Sequence, residues 1–321
     1  EEICSASLGS PSLMSVHSAN SKWIEGLAAD QPVKAAAQRV LELRLHAVWE
    51  RLPAAATEAN QDPEHVHQLR VSSRRAHAAL RLFKACLPRR KAKQIEKLLR
   101  RLRQAAGEAR DYDVQHGRLL KLESDAGIAT KSVIQMVDRR RGEAQAPIVD
   151  VYEHLQAKGF PDLIEALLSR LDEQDDEDSK QSFGEYAAKR LRRATTRFFN
   201  AEAHGNDAYA TLHQFRIRAK ELRYTLEVVA PVWGETVRRE IYPMIEDLQE
   251  RLGEIVDSHV AIDLYKQWNR KARCDGSRCA LRSLIAYQRT QLVAQRAAFD
   301  SHWTLERSAN LRSQIQKLVG A

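Results

Sequence analysis

The 321-residue sequence predicts an all-α fold, read as two pseudo-symmetric antiparallel four-helix bundles from an internal duplication, with a basic central groove. Three observations predict it. Apolar residues recur at three- and four-residue steps along nearly the whole chain, Ala, Leu, Arg, Glu and Gln dominate, and no alternating strand pattern appears. The chain also repeats itself, segment 67–114 aligning with 213–260 without a gap. Finally, one helix in each copy carries a row of cations beside its apolar seam.

The elements follow from their stop and start signals. Asp30-Gln31-Pro32 opens a helix running to about Leu52, with Pro53 as its stop, and Asp62-Pro63 opens the next, running to Leu87 before Pro88. A third spans Arg90 to Ala106 before Gly107, and Asp111 caps a fourth. Further helices are predicted near 130–157, 162–171, 182–200, 208–229, 235–252, 257–272, 280–299 and 304–318. The string DEQDDED at 172–178 reads as a solvated acidic linker. The organisation is therefore a disordered Ser-rich tail at 1–22 and one domain over 23–321. That domain holds a first repeat at about 30–171, the linker, a second repeat at about 179–300 and a C-terminal helix at about 304–318.

Composition narrows the classes. With 13 Gly, 9 Pro and 43% hydrophobic residues, collagen-like, low-complexity and disordered chains are excluded. No apolar run approaches the length of a membrane span, and residues 1–22 lack the basic start and apolar stretch of a secretory signal. Cys4, Cys86, Cys274 and Cys279 are scattered, and no second Cys or His pair completes a zinc site with Cys274 and Cys279. They read as reduced thiols of a cytoplasmic protein.

The repeat has a constant 146-residue spacing. His67-Gln68-x-Arg70 falls on His213-Gln214-x-Arg216, Leu80 on Leu226, Ile95 on Ile241 and Leu102 on Leu248. Gly107-Glu108-x-x-Asp111 falls on Gly253-Glu254-x-x-Asp257. Register kept through several helices argues for duplicated bundles rather than a solenoid.

The helix at 63–87 carries the chemistry. Val66, Leu69, Ala76, Leu80, Phe83 and Leu87 form its seam. About 100° round the axis run His67, Arg70, Arg74, His77, Arg81 and Lys84. Its counterpart carries His213, Arg216, Lys220 and Arg223, ending at Glu227. Window 61–110 holds 14 Lys+Arg against 4 Asp+Glu, a larger excess than the +8 of the whole chain. Stacked like charges repel, so such a field points to an anionic partner. Two bundles packed about a pseudo-two-fold axis would turn both stripes into one groove, with Arg44, Arg51, Arg190, Arg193 and Arg197 (and Arg192) adding to its wall. Guanidinium forks match phosphate oxygens, and a long groove suits a linear polyanion.

At these residues the sequence resembles the CHAD domain family. The matching strings are HQLRVSSRRAHAALRLF at 67–83 and HQFRIRAKELRYTLEVV at 213–229, each followed by a Leu-rich helix and a Gly-x-x-x-Asp element. The resemblance covers about residues 30–300. It implies two four-helix bundles around a basic pore or cleft that binds inorganic polyphosphate, and association with polyphosphate granules. The family's basic motif falls on His67, Arg70, Arg74 and Arg75, and on His213, Arg216, Lys220 and Arg223; His77 stands where the first motif usually has another arginine. Some members are fused to a triphosphate tunnel domain with an E-x-E-x-K strand motif, and that motif is missing from this sequence.

Other chemistries fit less well. His67 and His77 lie ten positions apart with arginines between them, a poor setting for a divalent metal. No phosphate-binding G-x-x-x-x-G-K-[ST] loop is present. Asp111 and Asp257 read as helix caps or arginine partners, and no nucleophile–base–orienter set can be assembled. The expectation is a non-enzymatic, cofactor-free, cytoplasmic module whose partner is inorganic polyphosphate and which does not engage membranes. The alternatives are a nucleic-acid-binding protein, disfavoured by 6% aromatics, or a scaffold for an acidic protein segment, with the acidic linker as an internal competitor.

Overall fold

One start signal read from the sequence, Asp62, operates as a hydrogen bond in the computed structural model, which describes residues 21–171, 181–272 and 274–320. Most of the predicted tail, Cys4 and the acidic linker at 172–178 lie outside the described residues. Asp62 Oδ1 accepts the Glu64 N–H at 2.8 Å. Ser182 Oγ accepts the Glu185 N–H at 3.3 Å while Glu185 Oε2 accepts the Ser182 N–H at 3.1 Å, a reciprocal box that satisfies two orphan donors.

The first half contains α1 (Val33–Thr57), α2 (Glu64–Leu82), a 3₁₀ turn (Lys84–Cys86), α3 (Arg89–Ala126), α4 (Lys131–Glu143), α5 (Ala146–Ala157) and α6 (Phe160–Leu168). The second contains α7 (Phe183–Phe199), α8 (Tyr209–Trp233), a π segment (Val237–Ile241), α9 (Tyr242–Lys271), α10 (Asp275–His302) and α11 (Leu305–Gly320). Among the described residues the β contact is one isolated bridge, Pro32 with Ser182. There the Gly184 N–H donates to Ala29 O at 2.7 Å. A Cβ at 184 would sit 3.1 Å from that oxygen, which is why a glycine stands at this approach.

Several predicted boundaries move. Helix α1 passes through Pro53, because Ala54–Ala56 are strong helix formers and Ala55 and Ala56 are buried. The third and fourth predicted helices are one element, α3, and the predicted break at Gly253 lies inside α9. Neither Gly107 nor Gly253 is a stop: an arginine from the neighbouring helix lies across each, Arg70 at 107 and Arg216 at 253. Asp111 and Asp257 are therefore mid-helix arginine partners, not caps. Region 130–157 divides into α4 and α5, with a proline in the first turn of α5.

Helices α1, α2 and α3 pack in sequence and α5–α6 close that bundle; α7, α8 and α9 do the same with α11. The C-terminal helix is thus no appendage, since Leu311 and Ile315 sit in the shared core. One apolar core spans both halves, and a smaller one joins the far ends of α3 and α9 to α4 and α10 through Leu119, Val133, Tyr265 and Leu281.

Helices α2 and α8 cross between the halves. Arg75 Nε donates to Glu227 Oε2 at 2.7 Å, and Arg81 Nη2 lies 3.7 Å from Glu221 Oε1. The 146-residue shift takes Arg75 to Glu221 and Arg81 to Glu227, so it exchanges the two pairs. That is the contact pattern of a two-fold crossing.

Candidate functional site

Five of the six predicted stripe residues, four on α2 and Lys84 on the 3₁₀ turn after it, open onto linked cavities between α2, α3, α7 and α8. The central cavity, about 280 Å³, is lined by Arg74, His77 and Arg81 from α2, Arg103 from α3, Arg190 and Arg197 from α7, and Lys220 from α8. Toward the end of α2 a wider cavity of about 700 Å³ shares His77, Arg81, Arg190 and Arg197, and adds Lys84, Arg89 and Arg193. Toward its start a cavity of about 350 Å³ shares Arg74 and Arg103, and adds Arg70 and Arg100. The shared walls make one trough. The carboxylates along it are Glu96 and Glu221.

The wall is held by local packing. Phe83 stacks on Tyr186 at 5.8 Å, and the Tyr186 hydroxyl donates to Leu82 O at 2.7 Å, fastening α7 to α2. The Arg190 guanidinium lies 4.7 Å over the Tyr186 ring and donates to its hydroxyl at 2.7 Å. Arg197 Nη1 donates to Glu221 at 2.8 Å. Across the trough, Arg103 Nε is buried without a hydrogen-bond partner. Arg74, Arg103 and Lys220 have no carboxylate within ion-pair distance among the described residues.

These cations press on one another. Burial, then Arg216 and Arg74, push the Lys220 amine down to about 7. Burial, then Arg103 and Arg81, push His77 down to about 4. Burial also lowers His67, with Arg110 next, and His213, with Arg216 next. Arg74 on one ridge thus bears on Lys220 on the other, and of the second stripe's four residues it is Lys220 that lines the trough.

At the far end each ridge is tied to its neighbour. Arg70 Nη1 donates to Gly107 O at 2.6 Å and lies 3.5 Å from Asp111, while Arg216 Nη2 lies 3.3 Å from Asp257. Arg70 still reaches the trough, but Arg216 does not line the three cavities. His67 and His213 sit beside these arginines and also lie off the lining, His213 against the Tyr209 ring at 5.7 Å.

Other predicted residues face elsewhere. Arg44 is 3% exposed, and its guanidinium donates to Ser21 O at 2.8 Å and Lys22 O at 2.7 Å. Arg51 donates to Ser72 Oγ at 2.8 Å, Arg75 to Glu227, and Arg192 to Val319 O. Arg223 lies 3.7 Å from Glu246 and over the Tyr224 ring. These five are packing groups because one step along a helix turns a side chain by about 100°. Sequence reasoning missed Arg89, Arg100 and Arg103 of α3. The basic content of window 61–110 was the available signal, but it did not say which way α3 turns.

Among the described residues no three or more His, Cys, Asp or Glu side chains gather to hold a metal ion, and no helix is long and apolar enough to cross a membrane. The free thiols described are Cys86, buried, and Cys274 and Cys279, exposed.

Fold and site together define an all-α protein with a cation-lined trough at the crossing of its two halves. The sequence matches the CHAD domain over residues 39–266, and the chain belongs to that family. The fold is similar to the crystal structure of the CHAD domain from the plant Ricinus communis, with a TM-score of 0.68 and 22% identity, covering 92% of this chain and 94% of that one. It is also similar to PptA from Streptomyces chartreusis, with a TM-score of 0.62 and 19% identity, covering 85% and 99%. At these identities the likeness establishes the fold. A comparison with curated proteins found no match.

Proposed function

We propose that this CHAD domain binds inorganic polyphosphate along the trough as a non-catalytic module, in the cytoplasm at polyphosphate granules. The observation that carries the reading is the convergence of Arg74, Arg103 and Lys220, from three helices, on one cavity without a carboxylate partner. A row of phosphates supplies the missing counter-charge to each in turn. Tyr224 is the one aromatic residue in the lining of the three cavities, which leaves no stacking ladder for nucleobases. That favours a plain polyanion over nucleic acid.

Competition at physiological salt tests it. Long-chain polyphosphate is expected to displace duplex and single-stranded DNA at equal phosphate concentration, to bind more tightly than tripolyphosphate, and to weaken steeply with salt. DNA winning that competition would overturn the reading.

The trough also sets a pH dependence. A bound anion favours the charged amine, so Lys220 takes up a proton on binding wherever pH exceeds its free value of about 7. Affinity is expected to fall as pH rises from 7 toward 9, and Lys220→Arg should flatten that profile in a titration series. In the free protein His77 is held down to about 4 by burial, Arg103 and Arg81, so there it offers a neutral N–H, and a bound anion acts on it in the same upward direction as on Lys220.

A further inference from the structure

The trough does not stop at Arg100. Arg100 and Gln104 form the wall between its inner end and a fourth cavity of about 580 Å³ on the outer face of α3, lined also by Gln94, Lys97, Arg101, His154 and Lys158. Lys97, Arg100, Arg101 and Lys158 are exposed, and among the described residues none has an ion-pair partner. Lys97 and Arg101 stand one helical turn apart, a like-charge spacing that opposes helix stability.

The other half inverts this surface. The 146-residue shift takes Lys97 to Pro243, Arg100 to Glu246, Arg101 to Asp247, Gln104 to Glu250, His154 to Asp300 and Lys158 to Thr304. Glu246 and Asp247 are already engaged, by Arg223 and Arg251 respectively. A fold whose helices recur at constant spacing is thus electrostatically one-sided: basic where the trough runs out over α3, acidic at the matching face of α9.

We propose that the outer basin is a continuation of the binding path, which leads a long polyphosphate over Arg100 and around α3, with no equivalent exit over α9. The path along α3 from Arg89 to Gln104 covers roughly 22 Å by helix rise. A short oligophosphate fills the central cavity without reaching the basin. This inference rests on the polyphosphate reading of the trough.

The test uses the full chain with Lys97→Gln, Arg101→Gln and Lys158→Gln combined, all at exposed positions. The control removes the same charge from the smaller core's surface, as Lys131→Gln, Arg139→Gln and Arg282→Gln. Long-chain polyphosphate and tripolyphosphate are titrated over a salt series. The basin variant is expected to lose about tenfold for the long chain and less than twofold for tripolyphosphate. Its salt slope should fall by roughly 2, the share of three lost phosphate contacts. The control should keep the parent slope. Equal losses for both ligands, or the same loss in the control, would reduce the basin to diffuse attraction and overturn the proposal. Unchanged long-chain affinity, with binding still abolished by changes at Arg74 and Arg103, would overturn it while leaving the trough reading intact. Failure of the parent to bind either ligand would remove both.

Discussion

Changing Arg74 and Arg103 together to glutamine is expected to lower polyphosphate affinity by roughly a hundredfold or more, each charge-assisted contact contributing about 1.5–3 kcal/mol with partial overlap between neighbours. Arg74 touches both the central and inner cavities, as does Arg103 from α3, so both stand where the two cavities meet. Their removal strands no acidic partner. It relieves repulsion instead, since the cations repel one another: after burial, Arg216 and then Arg74 depress Lys220, and after burial Arg103 depresses His77. The double variant should therefore unfold at a denaturant concentration no lower than the parent while losing its ligand, the usual trade between function and stability. The Lys220 amine should also move up toward its ordinary value, which a pH titration followed by NMR can read. Changing exposed Arg139 and Lys131 in the same way should alter affinity less than threefold. Equal losses at both pairs would mean that net charge alone, not the trough, attracts the polyanion.

Much of this arrangement was legible in the residues. The stripe of α2 could be drawn from helical periodicity, because Arg70, Arg74, His77, Arg81 and Lys84 share one flank and that flank does line the trough. The 146-residue spacing lays the residues of α2 on 210–228, inside α8. What periodicity lacks is the rotation of each helix against its neighbours. Arg74 and Arg75 are adjacent in sequence, yet one faces the cavity and the other is drawn to Glu227, a residue of a different helix. Arg44 looked like a wall residue, but carbonyls of Ser21 and Lys22, brought in by the segment before α1, enclose it. Gly107 and Gly253 resembled stops because glycine ends many helices. A guanidinium from the next helix occupies the space over each, and no local signal announces that. Arg100 and Arg103 were counted as charge but could not be assigned a direction until α3 was known to run unbroken.

Glu227→Ala is expected to destabilise the fold by about 3–5 kcal/mol, the cost of leaving a buried charge without its partner. Glu227 is 1% exposed and accepts from Arg75 Nε at 2.7 Å and from the Tyr242 hydroxyl at 3.0 Å. Without it, Arg75 faces Arg44 and Arg51, both lowered by burial first and by the Arg75 charge next. Chemical denaturation measures the loss, and combining Arg75→Met, Glu227→Met and Tyr242→Phe should recover most of it, because apolar groups of similar volume need no counter-charge. Ligand binding separates this structural role from a purely electrostatic one. Glu227 lies off the trough lining, and deleting a carboxylate raises the positive field, so charge alone predicts tighter polyphosphate binding. The Arg75–Glu227 pair, however, fixes the crossing of α2 and α8, which carry Arg74 and Lys220 on the two sides of the cavity. Loosening that crossing lets the ridges separate, and affinity should fall under conditions where the variant remains folded. Tighter binding by the folded variant would show that the crossing does not set the width of the trough.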